Sequence, residues 1–100
     1  MGNFYIREYE SLGIPGEGGN AQIAKEPALL DQTPVSFGSA VQSAAFGPNT
    51  RFARFHTDSI CSFLVGANPT ATTNNARMAA SQTEIVGVTP GHKVSIISNT

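Results

Sequence analysis

Tryptophan is absent, and Cys61 is the only cysteine among 100 residues. A single thiol excludes an intramolecular disulfide. Its place in an apolar run fits a reducing compartment. Charge is scarce as well. Asp, Glu, Lys and Arg make up 13 % of the chain, against about 25 % in an average globular protein. From Ser59 to Thr100 the only charged residues are Arg77, Glu84 and Lys93. Such a chain must cover itself with Ser, Thr, Asn and Gln, or with a partner. The net charge is −1, and no Lys/Arg cluster or acidic tail stands out. That removes the basic footprint on which sequence-independent nucleic-acid binding rests.

Long apolar runs are missing too. No stretch of about 20 apolar residues is present, so no membrane-spanning helix is expected. Met1-Gly2-Asn3-Phe4-Tyr5 lacks the positive and apolar regions of a secretory signal. Gly2 begins a myristoylation-like pattern, but Ile6 stands where Ser or Thr is required. Asn68-Pro69-Thr70 carries proline where a glycosylation acceptor forbids it.

Alternation with a period of two runs through the remainder. Phe4 to Tyr9 reads as a strand, with Phe4, Ile6 and Glu8 on one face and Tyr5, Arg7 and Tyr9 on the other. Gly13 to Asn20 holds four glycines and a proline, a composition that reads as a flexible linker. The first segment, 1–12, is therefore expected to be a strand or semi-independent arm, with 13–20 as linker and 21–100 as the core of one domain. Further strands are expected within Ala21–Ala28, at Val35–Phe37 and over Ala40–Phe46, with a turn at Gly47-Pro48-Asn49. Thr50–Thr57 should place Ala53, Phe55 and Thr57 on one face and Phe52, Arg54 and His56 on the other. Ile60–Val65 is almost continuously apolar, which predicts a central strand covered on both faces. A short strand is expected around Arg77-Met78. Thr83–Val88 and Lys93–Ser98 flank the turn Thr89-Pro90-Gly91 and read as a hairpin. Seven or eight short strands and no confident helix predict an all-β fold, a small antiparallel β-sandwich or barrel.

Motifs for chemistry are weak. Gly16-Glu17-Gly18-Gly19-Asn20-Ala21 fits a dinucleotide-loop spacing. The strand before and the helix after it are missing, since Pro15 and Pro27 flank it. His56, Asp58, Cys61 and His92 are the one grouping that suggests a metal site or a nucleophile. Zinc needs three or four converging ligands, and a Cys–His pair needs a third group to orient the base. A buried structural thiol and two surface histidines account for these residues better. Arg51 and Arg54 beside Phe52 and Phe55 suggest base stacking, but alternation puts the two arginines on opposite faces. Arg54 is instead a candidate to pair with Asp58, Glu84 or a partner chain. Ser81-Gln82-Thr83-Glu84 fits a capping box, yet Ile85-Val86-Gly87-Val88 favours a strand. No catalytic, cofactor-binding or metal residues are assigned. The interface candidates are Phe4, Tyr5, Arg7, Tyr9, Arg51 and Arg54, because aromatic and guanidinium groups offer large contact area. For the aromatics, packing on the domain's own core is the equal alternative.

The pieces Thr50–Asp58, Ile60-Cys61-Ser62, Gly66–Thr72, Arg77–Ala80, Glu84–Val88 and Gly91–Ile97 together resemble a group of small accessory virion proteins of tailed bacteriophages, of the capsid decoration or cement type. The resemblance covers about half the chain and carries no catalytic residues. It implies a β-sandwich-like domain and a non-enzymatic structural role on the outer surface of a capsid shell. The expected partners are the major capsid protein or other virion proteins. Expected with them are homo-oligomers such as trimers, no nucleic acid, no membrane, and a virion assembled in the cytoplasm of the bacterial host. The alternative is a tail, fibre or head-to-tail component that binds host glycan or another virion protein. A small enzyme built on His56, Asp58 and Cys61 is the third reading.

Overall fold

The computed structural model describes residues 2–11 and 26–99. Two antiparallel sheets pack face to face with no helix among the described residues. The strands are β1 (Gly2–Tyr9), β2 (Leu30–Asp31), β3 (Val35–Phe37), β4 (Val41–Gln42), β5 (Phe52–Thr57), β6 (Cys61–Gly66), β7 (Ala76–Met78), β8 (Thr83–Gly87) and β9 (Lys93–Ser98). The expected all-β sandwich is thus present. The first sheet runs β2-β1-β5-β8, with β3 also paired to β1, and the second runs β4-β9-β6-β7.

Alternation explains the layers. In β1, Phe4, Ile6 and Glu8 turn inward, and in β5 so do Ala53, Phe55 and Thr57; all six are buried. Across from them lie Cys61 and Phe63 of β6, Met78 of β7, and Val94 and Ile96 of β9. Phe55 joins the layers: its ring centroid is 5.3 Å from Phe4 and 5.5 Å from Phe63. The strand expected at the N-terminus is present, but it does not stand off as an arm. It lies between β5 on one side and β2 and β3 on the other. Two inward apolar side chains, Phe4 and Ile6, hold it there, and burying each is worth about 1.5–3 kcal/mol.

Several expectations need correction. The strands before and after Thr89-Pro90-Gly91 do not form a hairpin. β8 pairs with β5, and β9 pairs with β4 and β6. The turn is real, with Gly91 at φ 83°, but it carries the chain from one sheet to the other. Phe46 fixes that corner: its amide donates to the His92 carbonyl at 2.8 Å, and the Gly91 amide donates to the Phe46 carbonyl at 2.9 Å. Of Ala40–Phe46 only Val41–Gln42 is strand. Glu26–Ala28 is not strand, and the remainder of the strand expected there lies outside the described residues, as do 13–20. β6 is central in its sheet, yet its outer face is not fully covered, because Leu64 is exposed.

Exposed Ser, Thr and Asn, among them Asn68, Thr70, Thr72, Thr73 and Asn74, do cover surface as expected, but three serines have another place. Ser43, Ser62 and Ser95 do not cover the surface; they are buried and bonded. The Ser43 hydroxyl accepts from the Val94 amide at 3.1 Å, and that of Ser95 accepts from the Ala71 amide at 2.8 Å. Asn99 Nδ2 donates to Ser62 Oγ at 2.7 Å. Every buried side-chain nitrogen and oxygen of the described residues has a partner, as a stable interior requires.

Candidate functional site

The two outer faces of the sandwich differ. Residues 67–75 fold back over the second sheet, held by Gln42 Nε2 donating to Asn68 Oδ1 (2.9 Å) and the Pro69 carbonyl (2.7 Å). Among the described residues the first sheet is covered only at one corner, where Glu26 bonds Arg7 and Tyr9. Its outer face carries three cross-strand rows: Tyr5–His56–Thr83, Arg7–Arg54–Ile85 and Tyr9–Phe52–Gly87. These follow from the alternation that sends Phe4, Ile6, Phe55 and Ala53 inward.

Each row has its own chemistry. Tyr9 and Phe52 stack with centroids 5.2 Å apart and planes 10° from parallel. Tyr5 leans over His56 at 6.2 Å, and His56 Nδ1 lies 2.7 Å from Thr83 Oγ1. Arg7 forks onto Asp31, with Nε donating to Oδ1 at 2.6 Å and Nη2 to Oδ2 at 3.0 Å. Its Nη1 reaches Glu26 at 3.3 Å. The guanidinium holds the Asp31 carboxyl below its usual range, and Asp31 in turn raises Arg7 above its own. Burial raises Tyr9, helped by its hydroxyl donating to Glu26 at 2.6 Å. Arg54 stands directly across from Arg7 and makes no ion pair with another described residue. A groove of about 700 Å³ opens beside this cation, lined by Tyr5, Arg7, Asp31, Pro34, Arg54 and Asp58.

Of the interface candidates, Tyr5, Arg7 and Arg54 come together on this face. Phe4 is wholly buried in the core, as the packing alternative has it, whereas Tyr9 is buried on the outer face, against Phe52 and Glu26. Arg51 is exposed just before β5. The four residues of the suggested metal or nucleophile grouping do not converge. Among the described residues no three His, Cys, Asp or Glu side chains gather as metal ligands. Asp58 is committed to the Asn3 amide at 2.7 Å. Cys61 is buried, and that burial pushes its thiol up against a smaller lowering by the Thr57 hydroxyl. The dinucleotide-like loop lies outside the described residues.

Sequence reading gave Glu8 no role beyond its place in the alternation, and it is the most constrained polar side chain of the fold. It is fully buried. Oε1 accepts from the Gly47 amide (2.9 Å) and the Thr50 hydroxyl (2.6 Å), and Oε2 accepts from Gln32 Nε2 (2.8 Å). The carboxylate thereby ties β1 to the turn before β5 and to the segment between β2 and β3. The only signal available was its inward place in the alternation of β1.

No family model, curated protein or solved structure matches the chain. The resemblance to phage accessory proteins therefore rests on the residues alone.

Proposed function

We propose that this chain is a non-enzymatic structural protein of a tailed-bacteriophage particle, a decoration or cement protein seated on the outer surface of the capsid shell. The observation that carries the reading is the open part of the first sheet's outer face, where Tyr5, Arg54 and Ile85 are all exposed. Aromatic and guanidinium groups dominate binding energy at protein interfaces. A flat sheet face suits a broad, shallow contact repeated over many capsid subunits, where modest contacts sum by multivalency. The resemblance over residues 50–97 supplies the identity of the particle. Copies of the chain associate in this reading, and the major capsid protein is the partner.

The test is co-sedimentation with assembled shells from the phage that encodes the chain, together with the melting point of those shells. Binding and a raised melting point are expected, and both should fall with Tyr5→Ala and Arg54→Glu. A chain that neither co-sediments nor raises the melting point ends the cement reading. The groove favours a second one, a tail, fibre or head-to-tail component that binds glycan. An aromatic ring beside Asp31, Asp58 and Arg54 presents a stacking plane and hydrogen-bonding groups together. Copy number separates the two: enough chains to cover the shell support decoration, and a single ring's worth supports the tail.

A further inference from the structure

β8 ends the first sheet, and no described strand pairs along its outer side. Which backbone groups face outward follows from the ladder with β5. The Val88 amide donates to the Arg51 carbonyl at 3.0 Å, and the Thr57 amide donates to the Gln82 carbonyl at 3.2 Å. In an antiparallel pair, residues bonded to the neighbour alternate with residues whose amide and carbonyl point away. Given the register Ala53↔Val86 and Phe55↔Glu84, the inward set is Gln82, Glu84, Val86 and Val88. The amides and carbonyls of Thr83, Ile85 and Gly87 therefore point to the open edge.

That edge keeps one protection, the charge of Glu84, which faces inward across from Phe55, and lacks the others. Natural edge strands are blunted by lysine, proline or bulges, and β8 reads Thr-Glu-Ile-Val-Gly. Its centre, Ile85, is 57 % exposed, the highest value for a large apolar side chain among the described residues. We propose that β8 pairs antiparallel with β8 of a second copy about a two-fold axis through Ile85, so that two first sheets become one continuous sheet.

The strand is self-complementary in this register. Ile85 faces Ile85 of the second copy, and their outward amides and carbonyls form one doubly bonded pair. Thr83 faces Gly87 on either side and completes the outward bonds. Glu84 faces Val86 and not another Glu84, so no like charges oppose. A shift of one residue would turn the outward backbone groups out of phase. A two-fold interface requires this kind of self-match, with each residue meeting its own complement. The pairing concerns how copies meet and does not depend on the virion reading. It closes on two copies, where the sequence had suggested trimers.

The test is sedimentation velocity of the full chain from about 5 µM to 500 µM, where mass action fills the dimer. A shift from monomer to twice the monomer mass is expected. Ile85→Pro is the decisive variant. Proline is tolerated on an edge strand where the lost amide faces solvent, and the Ile85 amide does not bond to β5. This variant should stay monomeric at every concentration. Ile85→Lys keeps the amide but sets two like charges across the axis, and should also stay monomeric. It decides the matter if the proline variant fails to fold, as judged by its strand circular-dichroism signal. In the wild type, amide exchange at Thr83, Ile85 and Gly87 should slow as concentration rises. A wild type that remains monomeric, a trimer, or variants that associate as the wild type does would each overturn the pairing. Concentration-independent protection of those three amides would overturn it too, by showing a different occupant of the edge.

Discussion

Replacing Glu8 by glutamine changes one oxygen for an amide and leaves volume and shape almost unaltered, so its effect isolates hydrogen bonding. The carboxylate has three acceptor bonds, from the Gly47 amide, the Thr50 hydroxyl and Gln32 Nε2. In the Glu8→Gln variant the remaining oxygen keeps the first two. The new amide then confronts Gln32 Nε2, donor against donor. Gln32 can turn its own amide over to accept, but doing so gives up its bond to the Ala44 carbonyl, made at 3.2 Å. Bonds to a charged partner are worth about 1.5–3 kcal/mol net and neutral ones about 0.5–1.5 kcal/mol. Two bonds thus each weaken by about 1 kcal/mol and one more is lost, a total of about 3 kcal/mol. A domain of this size holds only about 5–15 kcal/mol. Urea unfolding followed by circular dichroism reads this directly, with a midpoint lower by about 1–3 M. Thr50→Val should weaken the same site, and the double variant should lose less than the sum, because Glu8→Gln weakens the bond that Thr50→Val removes. A Glu8→Gln unfolding free energy within about 0.5 kcal/mol of wild type would refute the staple, as would strict additivity with Thr50→Val.

Three further outcomes are expected. Tyr9 is held above the usual tyrosine value of 10.0 by burial and by donation to Glu26; its contribution is therefore full below pH 10.0 and lost as pH rises through the folded value. Urea midpoints should fall on the alkaline side, Tyr9→Phe should flatten that fall, and an equal alkaline loss in the variant would contradict it. A Cβ at Gly2 would stand 2.6 Å from Ser59 Cβ and 2.7 Å from Asp58 Oδ1, so Gly2→Ala should cost about 1–3 kcal/mol in a thermal melt; an unchanged melting point would argue that this end of β1 yields freely. The Cys61 thiol is buried and pushed up by that burial, so a disulfide reagent at neutral pH should label it only when urea is added. Rapid labelling of the native chain would show that β6 opens locally.

The parts of this fold that were legible in the sequence are those fixed by side-chain period. β1 and β5 alternate cleanly, and Phe4, Ile6, Ala53 and Phe55 are buried where alternation puts them. The same rule sends Tyr5, Arg7 and Arg54 to one exposed face. Pairing was less legible. Thr89-Pro90-Gly91 fixes a reversal of the chain, but a reversal within a sheet and a corner between sheets share that local chemistry. The choice is made by Phe46, which bonds both Gly91 and His92 from over 40 residues away. Glu8 is a similar case. Its inward position was readable, whereas its partners Gln32, Gly47 and Thr50 lie 24 to 42 residues along the chain. Leu64 was read as covered because an apolar run resembles a doubly buried strand; the segment that covers the second sheet leaves it exposed.

The corner at Gly91 bears on the order of assembly. β9 emerges from synthesis after both of the strands it joins, yet it lies between them, with β4 on one side and β6 on the other. Until it arrives, β4 has no ladder partner among the described strands, and Phe63 has neither Val94 nor Ile96 near it. Contacts this remote in sequence must bear the entropy of loop closure before they reward it. The second sheet therefore behaves like an arch whose keystone is set last, and the nascent chain must keep its apolar strands from other company until that moment.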